Sequence, residues 1–161
     1  MSSSPLVSGL VLLAACAPSR GAGSLAELES ALRGAARAKD RGAFTRLLLD
    51  AEQLLAKCPS VFAEASDRSR LEADRGTFVR DAGERFLGCA AFDWDKAVEV
   101  TSERREPRTG EQAPGCAGES KRLGGFETRY RIGEEEVFVS FRVSQIDGRL
   151  FISDDFMCVR D

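Results

Sequence analysis

Apolar positions recur at helical spacing through the first half of the chain and at alternate positions through the second. Leu25, Leu28, Leu32, Ala35 and Ala36 repeat every three to four residues, which predicts a helix over about 25–38. Ser24 precedes it, with Glu27 at capping-box distance. Asp40 is placed to cap a second helix carrying Phe44, Leu47, Leu48, Ala51, Leu54 and Leu55 on one side and ending near Lys57, because Pro59 resists its continuation. A third helix is expected over about 67–89, with Phe78, Ala82, Phe86 and Leu87 apolar, a break near Gly76 and a stop at Gly88.

The period then falls to two. Lys96 to Ser102 alternates as a half-buried strand. Glu103 to Arg122, carrying Pro107, Gly110, Pro114, Gly115 and Gly118, reads as a long loop pinned by Cys116. Phe126, Thr128, Tyr130 and Ile132 form one face of the next strand, and Val137, Val139, Phe141 and Val143 repeat the pattern after a charged turn at Glu134-Glu135-Glu136. Asp147-Gly148 is a two-residue type I′ turn signal. It sets Val143 opposite Ile152, Ser144 opposite Phe151 and Arg142 opposite Ser153, with the last strand running from Arg149 to about Phe156. Phe138 and Phe151 interrupt the polar side, so part of that face is expected to be covered. The fold class is α+β: about three N-terminal helices packed on a curved antiparallel sheet of about four strands.

The N-terminus follows a different pattern. No charge occurs before Arg20, and Leu6, Val7, Leu10, Val11, Leu12 and Leu13 form a short apolar run ending in Ala14-Ala15-Cys16. The run is too short to span a bilayer as a stable helix and reads as an export signal, although Met1-Ser2-Ser3-Ser4-Pro5 lacks the usual basic residue. Leu13-Ala14-Ala15-Cys16 resembles the lipobox of bacterial lipoproteins. That resemblance implies a signal peptide over 1–15, lipidation of Cys16 and a lipidated tether over 16–24; the remaining length and its periodicity leave a single α+β domain over 25–161. Ala17 after the Cys is similar to the residue of outer-membrane-directed members, so the implied location is the cell outer membrane, with the domain in the periplasm or on the cell surface.

An exported chain changes the reading of the other cysteines. Cys58, Cys89, Cys116 and Cys158 are even in number and lack short CxxC spacings, which points to two disulfides rather than a metal or redox centre. Three connectivities are open, and the sequential pairing, Cys58 with Cys89 and Cys116 with Cys158, is the one expected.

Composition then narrows the chemistry. The 161 residues include 23 Lys+Arg, 26 Asp+Glu and no His. Lack of His removes imidazole-based acid–base pairs, nucleophile triads and imidazole metal sites. A net charge of −3 argues against nucleic acid as a partner, which calls for a basic surface. No Gly-rich phosphate loop, EF-hand spacing or SxxK motif occurs. The expectation is therefore no catalytic residue, no metal and no cofactor.

Candidate contact residues are Trp94, the only Trp, with its flanking Asp93 and Asp95, and the aromatics Tyr130, Phe138 and Phe151. Asp154-Asp155 would point to opposite faces of a strand and so would not act together. Arg33, Arg37 and Arg41, four apart, could form a basic stripe facing anionic headgroups. The segment 28–49, in particular Ala35-Ala36-Arg37-Ala38-Lys39-Asp40-Arg41-Gly42-Ala43-Phe44, is similar to the opening of the NTF2-like superfamily, and 141–154 to its last two strands. This resemblance implies a pocket between curved sheet and helices. The disulfides depart from that family, and the missing His prevents transfer of its Asp/His machinery.

The function expected from these features is that of a lipid-anchored envelope protein, a non-enzymatic binding or accessory module. Its partners would be the membrane and either another envelope protein or a small apolar ligand. An NTF2-like ligand carrier or carboxylate-dependent enzyme, and a secreted inhibitor or immunity protein, are the alternatives.

Overall fold

The computed structural model describes residues 20–104 and 121–161. The signal segment, Cys16 and most of the expected loop, with Cys116, lie outside the described residues. Helix α1, Leu25–Ala38, starts where expected. Ser24 Oγ accepts the Glu27 amide at 3.2 Å, and the Glu27 carboxylate accepts the Gly23 amide at 2.8 Å. Its apolar stripe, Leu28, Leu32, Ala35 and Ala36, is buried.

The single helix expected over 40–57 is instead two. Helix α2 spans Arg41–Thr45, capped by Asp40, and α3 spans Ala51–Lys57, capped by a reciprocal Asp50–Gln53 box. Between them the chain turns at Arg46-Leu47 and then runs along the sheet as a bridge at Leu48: Ile152 N–H donates to Leu47 O at 2.8 Å, and Leu49 N–H donates to Ile152 O at 2.9 Å. Extended backbone sends neighbouring side chains to opposite faces. Leu48 thereby enters the main core, while Leu49 joins a second cluster with Ile146 and Phe151 on the other side of the sheet. The helical spacing of the leucines concealed this split.

Helix α4, Ala65–Cys89, is continuous through Gly76 and buries Ala82, Gly83, Phe86 and Cys89. A short 3-10 turn, Trp94–Lys96, leads into the sheet. Strands β1 (Ala97–Arg104), β2 (Lys121–Ile132), β3 (Glu135–Ile146) and β4 (Arg149–Arg160) form an antiparallel meander in that spatial order. The architecture is α+β, with helices packed against a four-stranded antiparallel sheet: α1, α2 and α4 contribute to the main core on one face, and Leu54 of α3 packs on the smaller cluster on the other. Phe126, Thr128, Tyr130, Val137, Val139, Phe141, Ile152 and Phe156 line the inner face. Phe44 stacks on Phe86 with ring centroids 4.3 Å apart and touches Phe156 at 4.8 Å, so aromatic rings fill the space between helices and sheet.

Asp147 and Gly148 both have positive φ, 53° and 71°, as a type I′ turn requires. The turn sets Val143 opposite Ile152 and Ser144 opposite Phe151, as the sequence predicts. Arg142, however, lies opposite Asp154 rather than Ser153. A bulge intervenes, and β4 continues to Arg160 with Asp155 at φ 53°. Further register shifts lie between Glu99 and Thr101 and between Leu123 and Gly125, and such bulges bend and twist the strands.

The disulfide expectation needs a correction. Cys89 bonds to Cys158, not Cys58, joining the end of α4 to β4 across a sequence separation of 69. Cys58 is also disulfide-bonded. Spacing favoured neighbours in sequence, whereas packing of α4 along β4 brings Cys89 and Cys158 together in the core. Ala22, just ahead of α1, exchanges backbone hydrogen bonds with Leu150 at 2.9 and 2.7 Å.

Candidate functional site

The two edges of the sheet are unequal. Along the outer edge of β4, Ala22 pairs with Leu150 and Leu47 to Leu49 pair with Ile152. Farther along, α4 takes over: Arg75 donates to Ser153 O at 2.6 Å and to the Asp154 carboxylate at 2.9 Å, and Arg85 donates to Phe156 O at 2.9 Å. Each contact occupies an edge group that could otherwise recruit a foreign strand. Strand β1 pairs with β2 alone, and its other edge has no strand beside it among the described residues.

A groove of about 410 Å³ lies between that open edge and α1. Ala26, Ser30 and Gly34, four residues apart, present small side chains along one stripe of the helix. A Cβ built on Gly34 would meet nothing within 4 Å. Glu29, Arg33 and Arg37 form the adjacent stripe, and Glu99 of β1 lines the groove with them. The site thus holds two guanidinium groups and two carboxylates.

Its deepest polar contact joins helix and sheet. Tyr130, 2% exposed, donates its hydroxyl to Glu29 Oε1 at 2.9 Å, and Glu29 is itself only 9% exposed. Burial raises the Tyr130 pKa above the ordinary phenol value, and the neighbouring Glu29 charge and hydrogen bond raise it further. The hydroxyl therefore remains a donor at neutral pH. Arg33 lies over the Tyr130 ring, 5.5 Å from its centroid. Arg37 donates to Trp94 O at 3.3 Å and pairs with Asp95 at 3.4 Å.

The residues singled out from the sequence divide between the two faces. Trp94 is 3% exposed, its indole N–H donating to Cys89 O at 2.7 Å and its ring edge-on to Tyr130 at 5.2 Å. Trp94 is therefore a core residue behind the groove. Asp95 adjoins the groove through Arg37, whereas Asp93 turns to Lys96 at 2.9 Å, a hydrogen bond that lowers the Asp93 pKa and raises that of Lys96.

Phe138 and Phe151 lie on the opposite side of the sheet. Phe151 is buried against Leu49 and Ile146, with Leu54 of α3 packed on them. Half-buried Phe138 has Arg129 5.8 Å from its ring centroid. Asp154 and Asp155 are held apart, by Arg75 and Arg142 respectively. The expected stripe of three arginines also splits: Arg33 and Arg37 face the groove, while Arg41 lies against Gly83 of α4.

Sequence reasoning missed Glu29, Ser30, Gly34 and Glu99. The available signal was the i,i+4 ladder Glu29–Arg33–Arg37 beside the small stripe, which resembles an ordinary solvated helix face. Among the described residues no group of three or more His, Cys, Asp or Glu could hold a metal ion, and no buried side-chain nitrogen or oxygen lacks a hydrogen-bond partner. Chemically, the arrangement offers complementary charges and an open backbone edge.

The fold and groove define an α+β domain with one covered sheet edge and one that has no strand beside it among the described residues. No family model, curated protein or solved structure matches the chain.

Proposed function

We propose that this is a lipid-anchored, non-enzymatic binding module of the cell envelope, and that it takes an extended segment of a partner protein along β1. The observation that carries the binding site is the contrast between the covered β4 edge and the β1 edge, which has no strand beside it among the described residues and borders a charged groove. An incoming strand would gain main-chain hydrogen bonds from β1, the usual source of affinity in strand addition. Its inward side chains would meet Arg33, Arg37, Glu29 and Glu99, which favours a segment carrying both charges over a small apolar ligand. The β1 bulge and the exposed charges of Glu99 and Glu103 restrict pairing to a complementary strand.

Export is supported by the buried Cys89–Cys158 disulfide, since such bonds persist in oxidising compartments. The anchor is supported by Leu13-Ala14-Ala15-Cys16. No helix among the described residues is long and apolar enough to cross a membrane, so lipid on Cys16 supplies the attachment in this reading.

Two measurements test the proposal. The intact mass of the protein from its native membranes should begin at Cys16 with a diacylglyceryl or triacyl increment; an unmodified chain with free thiols overturns the envelope reading. A photo-crosslinking residue at Ser30 should yield one discrete adduct in native cells, while the same residue at Glu84 on α4 should not. Identical adducts from both positions would remove the groove from the proposal.

A further inference from the structure

We infer that the end of the domain formed by α3 and the Asp147-Gly148 turn is its bilayer-facing surface. The inference rests on the Cys16 anchor and extends it to orientation. Residues 20–22 are fastened to the fold from several directions. Ala22 pairs with Leu150, and Gly21 N–H donates to Arg46 O at 3.0 Å. Arg149 donates to Arg20 O at 3.2 Å and to Gly21 O at 2.6 Å. The Arg20 side chain pairs with Asp50, the N-cap of α3. Gly21, at φ 67°, admits no larger residue, because an added Cβ would lie 2.7 Å from Leu150 O and from the Phe151 ring.

Only Ala17, Pro18 and Ser19 therefore separate a lipidated Cys16 from a fixed point on the domain. Even fully extended, the four steps from Cys16 to Arg20 reach about 14 Å. Strand β3 carries 12 residues from Glu135 to Ile146, so the Gly133-Glu134 turn lies roughly 35–40 Å away along the sheet. A tether this short cannot let the two ends exchange places at the membrane. Lys57 pairs with Asp147 across the near end, and Arg20 pairs there with Asp50 and Glu52, so most of its charge is already matched. The short tether, rather than attraction to anionic lipid, thus fixes the orientation.

The consequence concerns the partner. The domain stands directly on the bilayer, and the segment that adds to β1 must be presented at the membrane surface rather than across the envelope.

The test uses the lipoprotein extracted from native membranes, weighed intact and reconstituted in vesicles containing a phospholipid with a photoreactive headgroup. Labelled peptides should come from 50–57 and 145–149, with none from 93–96 or 131–136. A second variant carries a flexible Gly/Ser spacer of ~12 residues after Ser19, long enough to span ~20 Å; it keeps the fold and should lose the bias. A lipid-free mass overturns the anchor and the orientation together. A lipidated mass with label at 131–136, or an unchanged pattern with the spacer, overturns the orientation alone.

Discussion

Tyr130 and Glu29, 101 positions apart in sequence, share a buried hydrogen bond of 2.9 Å that ties β2 to α1 at the base of the groove. A carboxylate this enclosed depends on donors held in place, and Tyr130→Phe removes one while leaving the ring under Arg33. The loss of such a charge-assisted bond should cost about 1.5–3 kcal/mol, read as a lowered denaturation midpoint with unchanged slope.

The same phenol gives the protein an alkaline limit. Its folded-state pKa is raised above the ordinary value of 10.0, so the native state holds the proton more tightly than the unfolded chain. The stabilisation is complete below about pH 10 and falls as pH climbs from there towards the folded pKa. Tyr130 is the only tyrosine, which makes its ultraviolet titration unambiguous. Phenolate absorbance should appear only as the protein unfolds; an ordinary titration centred near pH 10 in folded protein would contradict the buried pair.

The Cys89–Cys158 bond closes a loop with a sequence separation of 69. Constraint of the unfolded chain by a loop of that length is worth about 4 kcal/mol. Cys89→Ala and Cys158→Ala should be equally destabilised, and the double variant no worse than either. A non-reducing peptide map should recover the 89–158 pair. Recovery of a 58–89 pair would refute the observed connectivity.

Local chemistry made some of this fold legible and non-local packing hid the rest. Ser24 and Glu27 marked the start of α1, and Asp147-Gly148 set both the turn and the register of Val143 against Ile152, because each rests on residues near in sequence. The break at Leu47 to Leu49 was hidden, since only partners on β4, about a hundred residues later, make the extended form preferable to helix. The irregularities of β4 were hidden too: Ser153 is skipped in the register without a glycine or proline beside it, and two residues on Asp155 adopts positive φ with no glycine to announce it. The groove escaped because Glu29, Arg33 and Arg37 have the spacing of a solvated face, and only the approach of Glu99 and Tyr130 distinguishes them.

Gly34 separates the role of the groove from the stability of the helix that lines it. Gly34→Ala adds a methyl group into open space and should raise stability by about 0.5–1 kcal/mol through helix propensity, with partner binding retained. Gly34→Trp should leave the fold intact while filling the groove, so crosslinking from Ser30 should disappear. Loss of the adduct in the alanine variant as well would point to a disturbance of α1 rather than to occlusion.

Gly21→Ala reports on the fastening of the N-terminal segment. The alanine methyl group would collide with Leu150 O and the Phe151 ring, and φ 67° is itself unfavourable for it. Residues 20–22 should therefore release from the β4 edge at a cost of about 1–3 kcal/mol, without displacing Leu47 to Leu49. Amide exchange distinguishes the two edge contacts. Ala22 and Leu150, which bond each other, should lose protection, whereas Ile152, bonded to Leu47, should keep it. Uniform loss across 150–152 would mean that the whole edge opens as one unit.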